Sequence, residues 1–295
     1  MTKTSFIAIV GCPNVGKSSI LNKLLGKKVA IVTQKPQTTR TRIVGVLTKG
    51  ETQFVFTDTP GYHRPKNKLG EKMIRAVGEG ISGTDACLFV TEAEGEINER
   101  EKELLQRLKK ENAPVILALN KTDLVKDKEK LMKKILDFTS AYDFEAVVPV
   151  SALNGDNLDA LMYELEKTSY PSVHFFPDDT LTDQPERVIA AELIREKMLL
   201  LLDKEIPHGV AVSIEKMRER AGSDIMDVEA LIYCEKESHK GIIIGKKGDM
   251  LKKISTRARI DMENFFCCKI NLQCWVKVKE DWRNREGLIR NFGLD

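Results

Sequence analysis

The chain has 295 residues, of which 42% are hydrophobic, and a net charge of +3. This composition supports folded cores and excludes a wholly disordered chain, and the length favours two domains over one. No apolar run approaches the length of a membrane span. The six cysteines form no C-x-x-C pair and accompany no histidine cluster, so we expect a reduced, cytosolic protein without disulfides or a cysteine metal site.

Strand-like and helix-like patterns alternate over about the first 170 residues. This alternation is typical of an α/β domain with a mainly parallel sheet. Two of the apolar runs, 43–47 and 54–56, are too close together to enclose a helix, so we predict an antiparallel hairpin at one edge. The predicted strands are 6–10, 43–47, 54–56, 87–90, 115–119 and 147–150, and the predicted helices are 18–25, 68–81, 99–110 and 128–141.

The stretch GCPNVGKS at 11–18 fits the phosphate-binding pattern G-x-x-x-x-G-K-[ST] between a predicted strand and a predicted helix. Its glycines let backbone N–H groups converge on phosphate oxygens, and the helix N-terminus adds positive partial charge. We expect Lys17 to reach the outer phosphates and the Ser18 hydroxyl to bind Mg²⁺. The predicted nucleotide-binding residues here are Gly11, Cys12, Pro13, Asn14, Val15, Gly16, Lys17, Ser18 and Ser19.

QTTRTR at 37–42 lies between the first predicted helix and the edge strand. A threonine in this loop completes the Mg²⁺ shell when GTP is bound; we favour Thr39, with Thr38 as the alternative. We expect the loop to be mobile without GTP.

Three further motifs each follow a predicted strand, where α/β folds bind ligands. In DTPG (58–61), Asp58 is expected to hold Mg²⁺ through water and the Gly61 N–H to contact the γ-phosphate. In NKTD (120–123), Asp123 accepts two hydrogen bonds from guanine that adenine cannot donate, which favours GTP over ATP. SAL (151–153) offers a backbone N–H to the guanine oxygen. The predicted nucleotide-binding residues beyond the first loop are Thr38, Thr39, Asp58, Thr59, Pro60, Gly61, Tyr62, Asn120, Lys121, Thr122, Asp123, Ser151, Ala152 and Leu153.

The motifs also predict how the site hydrolyses GTP. The predicted Mg²⁺ ligands are Ser18, Thr39 and Asp58, and the predicted catalytic residues are Lys17, Thr39 and Gly61. Ras-like enzymes place a water-orienting glutamine after the glycine of this motif, whereas Tyr62 here has no carboxamide, so slow intrinsic hydrolysis is expected. We hypothesise that Asn14 coordinates a K⁺ ion near the phosphates; the alternative is a hydrogen bond that stabilises the loop.

The alternation of strand-like and helix-like patterns stops at 170–188, where three prolines and several acidic residues indicate a linker. A helix (186–202), two strands (210–214 and 228–234), a helix–loop–helix around GKKG and a strand (270–278) are predicted to follow. The predicted domains are therefore 1–172, a linker at 173–185, and 186–295.

GKKG at 245–248 lacks the spacing of a second nucleotide loop and has no Ser or Thr after its lysines. It fits the G-x-x-G loop with which KH domains clamp a nucleic-acid backbone, although a tight glycine turn between helices gives the same pattern. Residues 239–279 hold ten Lys and Arg against three Asp and Glu, so this segment carries +7 and the remaining chain −4, which indicates a polyanion partner. The predicted RNA contacts are Gly241, Ile242, Ile243, Ile244, Gly245, Lys246, Lys247, Gly248, Lys252, Lys253 and Arg257.

Taken together, these motifs resemble the Era family of bacterial ribosome-assembly GTPases. GCPNVGKSSILNKLLG, QTTRTRI, DTPGYH, NKTD and VSAL match its GTPase half, and IPHGVAV, GIIIGKKGDMLKKI and WRNREGLIRNFG match its KH half. The resemblance implies an α/β P-loop GTPase domain with a mostly parallel sheet, followed by a smaller α+β type II KH domain with a C-terminal helix.

The same resemblance implies a function. It implies a GTP-hydrolysing switch, using GTP, GDP and Mg²⁺, that binds the 3′ region of 16S rRNA during maturation of the 30S ribosomal subunit. It also implies a cytoplasmic protein that associates with the inner face of the cell membrane, and we expect a monomer. The alternative function is a GTP-gated, membrane-associated signalling scaffold that does not depend on RNA. A tRNA-modifying GTPase shares the N-terminal motifs but does not carry the basic G-x-x-G domain.

Overall fold

The structure is a computed structural model that describes residues 1–111 and 113–294. It consists of two compact units. The first comprises Met1–Ala30, Thr39–Pro65 and Lys72–Asp183, and the second comprises Ile31–Thr38, Lys66–Glu71 and Gln184–Asp295. Two short segments from the first half of the chain therefore cluster with the second unit.

The first unit is built on one sheet with helices packed around it. Its elements are β1 (Lys3–Val10), α1 (Lys17–Leu25), β2 (Ile43–Lys49), β3 (Thr52–Asp58), α2 (Lys68–Ile81, of which residues 72–81 belong to this unit), β4 (Ala86–Glu92), α3 (Glu99–Leu108), β5 (Val115–Asn120), α4 (Lys128–Ala141), β6 (Ala146–Pro149), α5 (Leu158–Glu166) and β7 (Tyr170–Pro171). The strand order in the sheet is β2-β3-β1-β4-β5-β6. Neighbouring strands are parallel except in the β2–β3 hairpin, and β7 pairs antiparallel with the start of β1. The mostly parallel α/β fold and the edge hairpin are thus confirmed, while α5 and β7 have no counterpart among the predicted elements.

The central strands of this sheet are buried on both faces. Residues 7–10 of β1 and 116–119 of β5 are fully buried, which explains why these strands are continuously apolar rather than alternating. Leu104 of α3 and Phe138 of α4 pack against the side of the sheet that contains Phe89. The buried strands hold the loops at their carboxyl ends in fixed positions.

The proline-rich segment after β7 is fastened to the first unit up to Asp183. The Gln53 side chain accepts hydrogen bonds from the N–H groups of Phe175 and Phe176 and donates to the Phe176 carbonyl. Thr182 donates its hydroxyl to the Val44 carbonyl at 2.6 Å. The segment is anchored to the β2–β3 hairpin over this length, and the domain boundaries at 172 and 185 remain a prediction.

The second unit packs helices on one face of a three-stranded sheet of order β10-β9-β8. Strands β8 and β9 are antiparallel and β9 and β10 are parallel, which confirms the predicted α+β order. Val228, Ala230 and Ile232 alternate inward along β9 against Ile254 and Ala258 of α8. The elements are α6 (Glu186–Leu201), β8 (Ala211–Glu219), β9 (Ile225–Cys234), α7 (Glu237–Ile244), α8 (Asp249–Phe266), β10 (Lys269–Val278) and α9 (Glu286–Asn291).

Within the described residues, every helix is too short or too polar to cross a bilayer.

Candidate functional site

The loop between β1 and α1 is shaped to enclose an anion. Gly16 has φ 98°, and a Cβ on it would lie 2.1 Å from the Asn120 amide nitrogen, so no other residue fits there. Lys17 is only 6% exposed, and its ammonium donates to the carbonyls of Gly11 at 3.2 Å and Cys12 at 3.0 Å. Burial lowers the pKa of Lys17, and the nearby Asp58 carboxylate opposes that shift. A phosphate oxygen would be a stronger acceptor for this buried cation than the two carbonyls.

Two hydroxyls and a carboxylate meet at the start of α1. Ser18 Oγ lies 2.6 Å from Asp58 Oδ2 and 3.0 Å from Thr39 Oγ1. Asp58 is fully buried, and its other oxygen, Oδ1, has no hydrogen-bond partner among the described residues. Burial raises the pKa of Asp58 to about 6, against the lowering effects of Lys17, Ser18 and Thr39. Hard oxygen donors with one unpartnered carboxylate oxygen fit Mg²⁺ and its bound water.

The structure separates the two candidate threonines. The Thr39 side chain is buried beside Ser18 and Asp58. The Thr38 hydroxyl instead donates to the Lys35 carbonyl at 2.7 Å and lies 2.7 Å from the Thr33 hydroxyl. The geometry therefore favours Thr39 over Thr38 as the Mg²⁺ ligand.

The DTPG loop lies against the phosphate-binding loop. The Tyr62 N–H donates to the Gly11 carbonyl at 3.0 Å, and Thr59 Oγ1 donates to the Ile9 carbonyl at 2.8 Å. Pro60 and Gly61 connect them, and a Cβ on Gly61 would lie 2.7 Å from Pro13 Cα. The Gly61 backbone is thus held beside the first loop.

Tyr62 itself packs toward α3. The residue is 7% exposed, its hydroxyl donates to Glu103 at 3.4 Å, and the Arg107 guanidinium lies 5.0 Å from the ring centroid. These contacts commit the side chain to α3.

The base-recognition loops converge on Asn120. Its amide donates to the Val15 carbonyl at 2.8 Å and accepts from the Ala152 N–H at 3.0 Å, so it ties three loops together. Ser151 donates its hydroxyl to Asp123 at 2.5 Å, and Lys121 pairs with Glu92.

The base loops also include two exposed residues. Asp123 is exposed, so a bound guanine would have to cover this carboxylate for its hydrogen bonds to discriminate strongly against adenine. Leu153, at the end of SAL, is also exposed.

The remaining predicted residues of this site lie within the same loops. Asn14 has φ 66°, a left-handed conformation that asparagine tolerates. Burial raises the pKa of the Cys12 thiol to about 11, with Glu101 adding to the shift, so this thiol is neutral and weakly nucleophilic. Ser19 lies in the first turn of α1, and Thr122 follows Lys121 in the base loop.

The second loop presents its lysines instead of enclosing them. Gly245 has φ 75°, and a Cβ on it would lie 2.7 Å from Met250 Cβ, so glycine is required at the junction of α7 and the turn. Lys246 and Lys247 point outward from the turn, and Gly248 closes it with an N–H bond to the Gly245 carbonyl at 3.2 Å. This turn places two cations where a backbone phosphate can approach.

Basic residues continue from this turn along α8. Lys252, Lys253 and Arg257 are exposed, and Lys253 pairs with Asp249 at 2.7 Å. At the end of α7, Gly241 is exposed as well.

One predicted RNA contact is wrong. Ile243 is fully buried in the core of the second unit, because the run 241–244 is helical and turns this residue inward. Ile242 is 50% exposed and Ile244 is partly exposed, so the apolar surface is narrower than predicted.

Sequence reasoning missed the floor of a groove beside this loop. A groove of about 600 Å³ is lined by Ile244 and Leu251 next to the loop and by Leu231, Trp275 and Val276 of the sheet. Trp275 is 45% exposed. The alternation of side chains along the strand INLQCWVKV could have revealed it. Ile270 and Trp275 are five residues apart and therefore lie on opposite faces of the strand, so a buried Ile270 implies an exposed Trp275.

The comparisons with known proteins cover both halves of the chain. A family model described as a 50S ribosome-binding GTPase matches residues 6–121, and a KH domain model matches residues 205–283. GTPase Era of Clostridioides difficile (strain 630) is 49% identical over 295 residues, covering 100% of this chain and 99% of the relative. GTPase Era of Thermoanaerobacter sp. (strain X514) is 46% identical over 291 residues, covering 99% and 96%.

Two solved structures match over both units. A crystal structure of Era in complex with MgGDPNP and nucleotides 1506–1542 of 16S ribosomal RNA has a TM-score of 0.96 at 38% identity, covering 100% of this chain and 99% of that one. A crystal structure of a single-substitution variant of Aquifex aeolicus Era bound to GDP·AlF₄⁻ also has a TM-score of 0.96 at 38% identity, covering 99% of each chain.

Proposed function

The chain belongs to the Era family of GTPases, and from that premise we propose that it is a GTP-driven switch whose second unit binds the 3′ region of 16S rRNA. It hydrolyses GTP to GDP and phosphate and uses Mg²⁺. The observation that carries the RNA part is the outward-facing GKKG turn beside an apolar groove, in the same chain as a complete set of guanine-nucleotide loops.

We propose the following roles in the nucleotide site. Lys17 would exchange its two loop carbonyls for phosphate oxygens, and Ser18 and Thr39 would hold Mg²⁺ through their hydroxyl oxygens. Asp58, which accepts a hydrogen bond from the Ser18 hydroxyl, would use its unpartnered oxygen to hold the ion directly or through water. When bound, Mg²⁺ neutralises charge that develops on the phosphate oxygens.

The Gly61 N–H is the proposed contact to the γ-phosphate, and Asp123 is the proposed reader of the base. Loss of the γ-phosphate removes the contacts that hold Thr39 and Gly61 in place. The release of these two residues is the switching event. Turnover is slow, since Tyr62 is committed to α3 and the backbone and Lys17 carry the stabilisation.

The K⁺ hypothesis concerns Asn14. It lies in the phosphate-binding loop, and its left-handed backbone is one that asparagine tolerates. We expect GTP turnover to be faster in K⁺ buffer than in Na⁺ buffer at equal ionic strength. Identical rates in the two buffers would rule the hypothesis out.

The proposed partner is the 30S ribosomal subunit, reached through its 16S rRNA. The scaffold alternative predicts that neutralising Lys246 and Lys247 leaves cellular function intact. The RNA proposal predicts instead that cells with this double variant accumulate immature small ribosomal subunits, while the GTP hydrolysis of the variant protein is unchanged.

Cytoplasmic residence with peripheral membrane association rests on the family resemblance alone. Flotation of the purified protein with anionic and neutral vesicles tests it. Recovery with neither kind of vesicle would contradict membrane association.

The test of the main proposal is binding to a short 3′-terminal 16S rRNA fragment with a GTP analogue, with GDP and without nucleotide. Tighter binding with the analogue, lost in a Gly245→Asp variant, supports the coupled switch. Equal, weak and salt-sensitive binding in all three states would favour the scaffold.

A further inference from the structure

The segment Ile31–Thr38 belongs to the second unit although it lies in sequence between α1 and β2. It ends one residue before Thr39, whose hydroxyl lies in the Ser18–Asp58 cluster. Contacts that fix this segment therefore also fix the residue directly before Thr39, the proposed Mg²⁺ ligand.

Helix α6 holds the segment at three places. The Arg195 guanidinium donates from Nη1 to the Gln37 carbonyl at 3.4 Å and from Nη2 to the Thr38 carbonyl. The Val32 N–H donates to Glu196 Oε1 at 3.0 Å. Lys35 donates to the carbonyl of Leu202, the C-cap residue directly after α6.

The two α6 side chains are arranged by partners within the second unit. Arg195 and Glu196 are each only 2% exposed, and buried charges are unfavourable unless they are fully paired. Glu192 accepts two hydrogen bonds from Arg195, at 2.7 and 2.6 Å, which fixes the plane of the guanidinium. The ammonium of Lys197 donates to Glu196 at 2.7 Å.

Lys197 extends this pairing to α8. Its ammonium also donates to Asp261 at 2.5 Å, and α8 is the helix that begins directly after GKKG. A chain of buried and partly buried, charge-assisted hydrogen bonds thus runs from the Val32 backbone through Glu196 and Lys197 to the helix that presents Lys252, Lys253 and Arg257.

We propose that Arg195 and Glu196 are positioning residues for Thr39, because they fix the segment Ile31–Thr38 that precedes it. The Lys197–Asp261 pair makes this fixing of the segment depend on the position of α8. The proposal rests on the proposed function, because it assigns the connection between the GTP site and the RNA helix. By linkage, an RNA that shifts α8 changes the affinity for Mg²⁺·GTP by the same factor as GTP changes the affinity for RNA.

The nucleotide arm of the test compares Arg195→Lys with Arg220→Lys. A lysine has three donors on one nitrogen and cannot reproduce the four hydrogen bonds that Arg195 makes from three nitrogens. Arg195→Lys is therefore expected to weaken binding of a GTP analogue with Mg²⁺ by about tenfold, the effect of losing one charged hydrogen bond. GDP affinity should be unchanged, because Thr39 completes the metal shell only with GTP. Arg220, an exposed arginine that likewise makes two hydrogen bonds to one carboxylate, that of Asp227, lies outside this network, and its variant should change neither affinity.

A second pair of variants guards against misfolding. Glu196→Gln keeps an acceptor for the Val32 N–H but loses the ion pair with Lys197, whereas Glu196→Met loses both. The preference for the GTP analogue over GDP should therefore fall less in Glu196→Gln than in Glu196→Met. Equal losses of GTP-analogue and GDP affinity, or no loss in either Arg195→Lys or Glu196→Met, would overturn the positioning role. This arm needs no RNA.

The RNA arm uses Asp261→Asn and the ratio of RNA affinities with GTP analogue and with GDP. We expect this ratio to fall at least about threefold toward one, with GDP affinity in the absence of RNA unchanged, because GDP binding does not need Thr39 in the metal shell. A wild-type ratio would overturn the connection through α8. A wild-type protein that binds no 16S fragment would overturn the RNA function and the α8 connection together, while leaving the nucleotide arm to decide the positioning role.

Discussion

The two glycine–lysine loops of this protein use the same residue types in opposite ways. In the first loop, Lys17 is buried and donates to two carbonyls of its own loop. In the second, Lys246 and Lys247 project from a single turn toward solvent. In the proposed function, the first loop encloses a small ligand whose charged atoms occupy fixed positions, whereas the second meets a long polyanion from one side.

The difference has an energetic basis. A buried cation interacts strongly with its partner because few water molecules screen it, so one side chain carries a large share of the binding free energy. Exposed cations on a nucleic-acid backbone act mainly by releasing counterions, and each one contributes a small, salt-dependent part. The comparison predicts unequal effects of removing lysines from the two loops.

The largest effect is expected for Lys17→Ala. We expect it to lower the rate of GTP hydrolysis by at least about a hundredfold, the range seen when one preorganised donor to a developing charge is lost. Binding of the 16S fragment without nucleotide should be unchanged. Single-turnover hydrolysis and RNA titrations on the same preparations measure both. A variant that hydrolyses GTP within about threefold of wild type would show that the buried lysine is not the main stabilising group.

The next effect is expected for the double variant Lys246→Ala, Lys247→Ala. Two fewer phosphate contacts should weaken RNA binding by about tenfold and reduce the slope of log K against log salt by roughly 1.4 for a single strand. Hydrolysis without RNA should be unchanged. Lys126→Ala, Lys128→Ala in the first unit removes the same charge from exposed positions and serves as the control. An unchanged salt slope would remove the second loop from the RNA interface.

Mg²⁺ binding at the first loop should also depend on pH, and the direction of this dependence follows from the pKa of Asp58. Burial raises the pKa of this carboxyl from its usual range to about 6, so it is mostly protonated below pH 6 in the ligand-free protein. A protonated Asp58 cannot serve Mg²⁺ or its water, so Mg²⁺ affinity should fall by up to about tenfold per pH unit below 6. Titration with Mg²⁺ at about pH 7.5, 6 and 5 in the presence of a GTP analogue measures this.

The control for the pH effect is Asp58→Asn. It should bind Mg²⁺ weakly at all three pH values and lose the pH dependence. An unaltered pH profile in this variant would assign the dependence to another group.

The parts of the molecule that could be predicted from sequence are those in which local pattern and chemistry agree. The order of strands follows from short apolar runs, and Asp58 and Asn120 end strands whose burial fixes their position. Ile243 could not be placed, because three consecutive isoleucines give no period by which to choose an inward residue. The contacts of Arg195 with Gln37 and Thr38 join residues 158 and 157 positions apart, and no local pattern encodes such a pairing.

The smallest effect is expected for Tyr62→Phe. This variant tests whether GTP hydrolysis at the first loop depends on the Tyr62 hydroxyl. The hydroxyl makes one long hydrogen bond to Glu103, so its loss should lower the free energy of unfolding by about 0.5 kcal/mol. Hydrolysis should stay within about twofold of wild type, because the Tyr62 backbone N–H still donates to the Gly11 carbonyl. Denaturant unfolding and single-turnover hydrolysis test the two statements separately. A tenfold loss of hydrolysis with unchanged stability would show that the hydroxyl reaches the reacting water during turnover, and the first loop would then rely on a mobile side chain as well as on its fixed backbone.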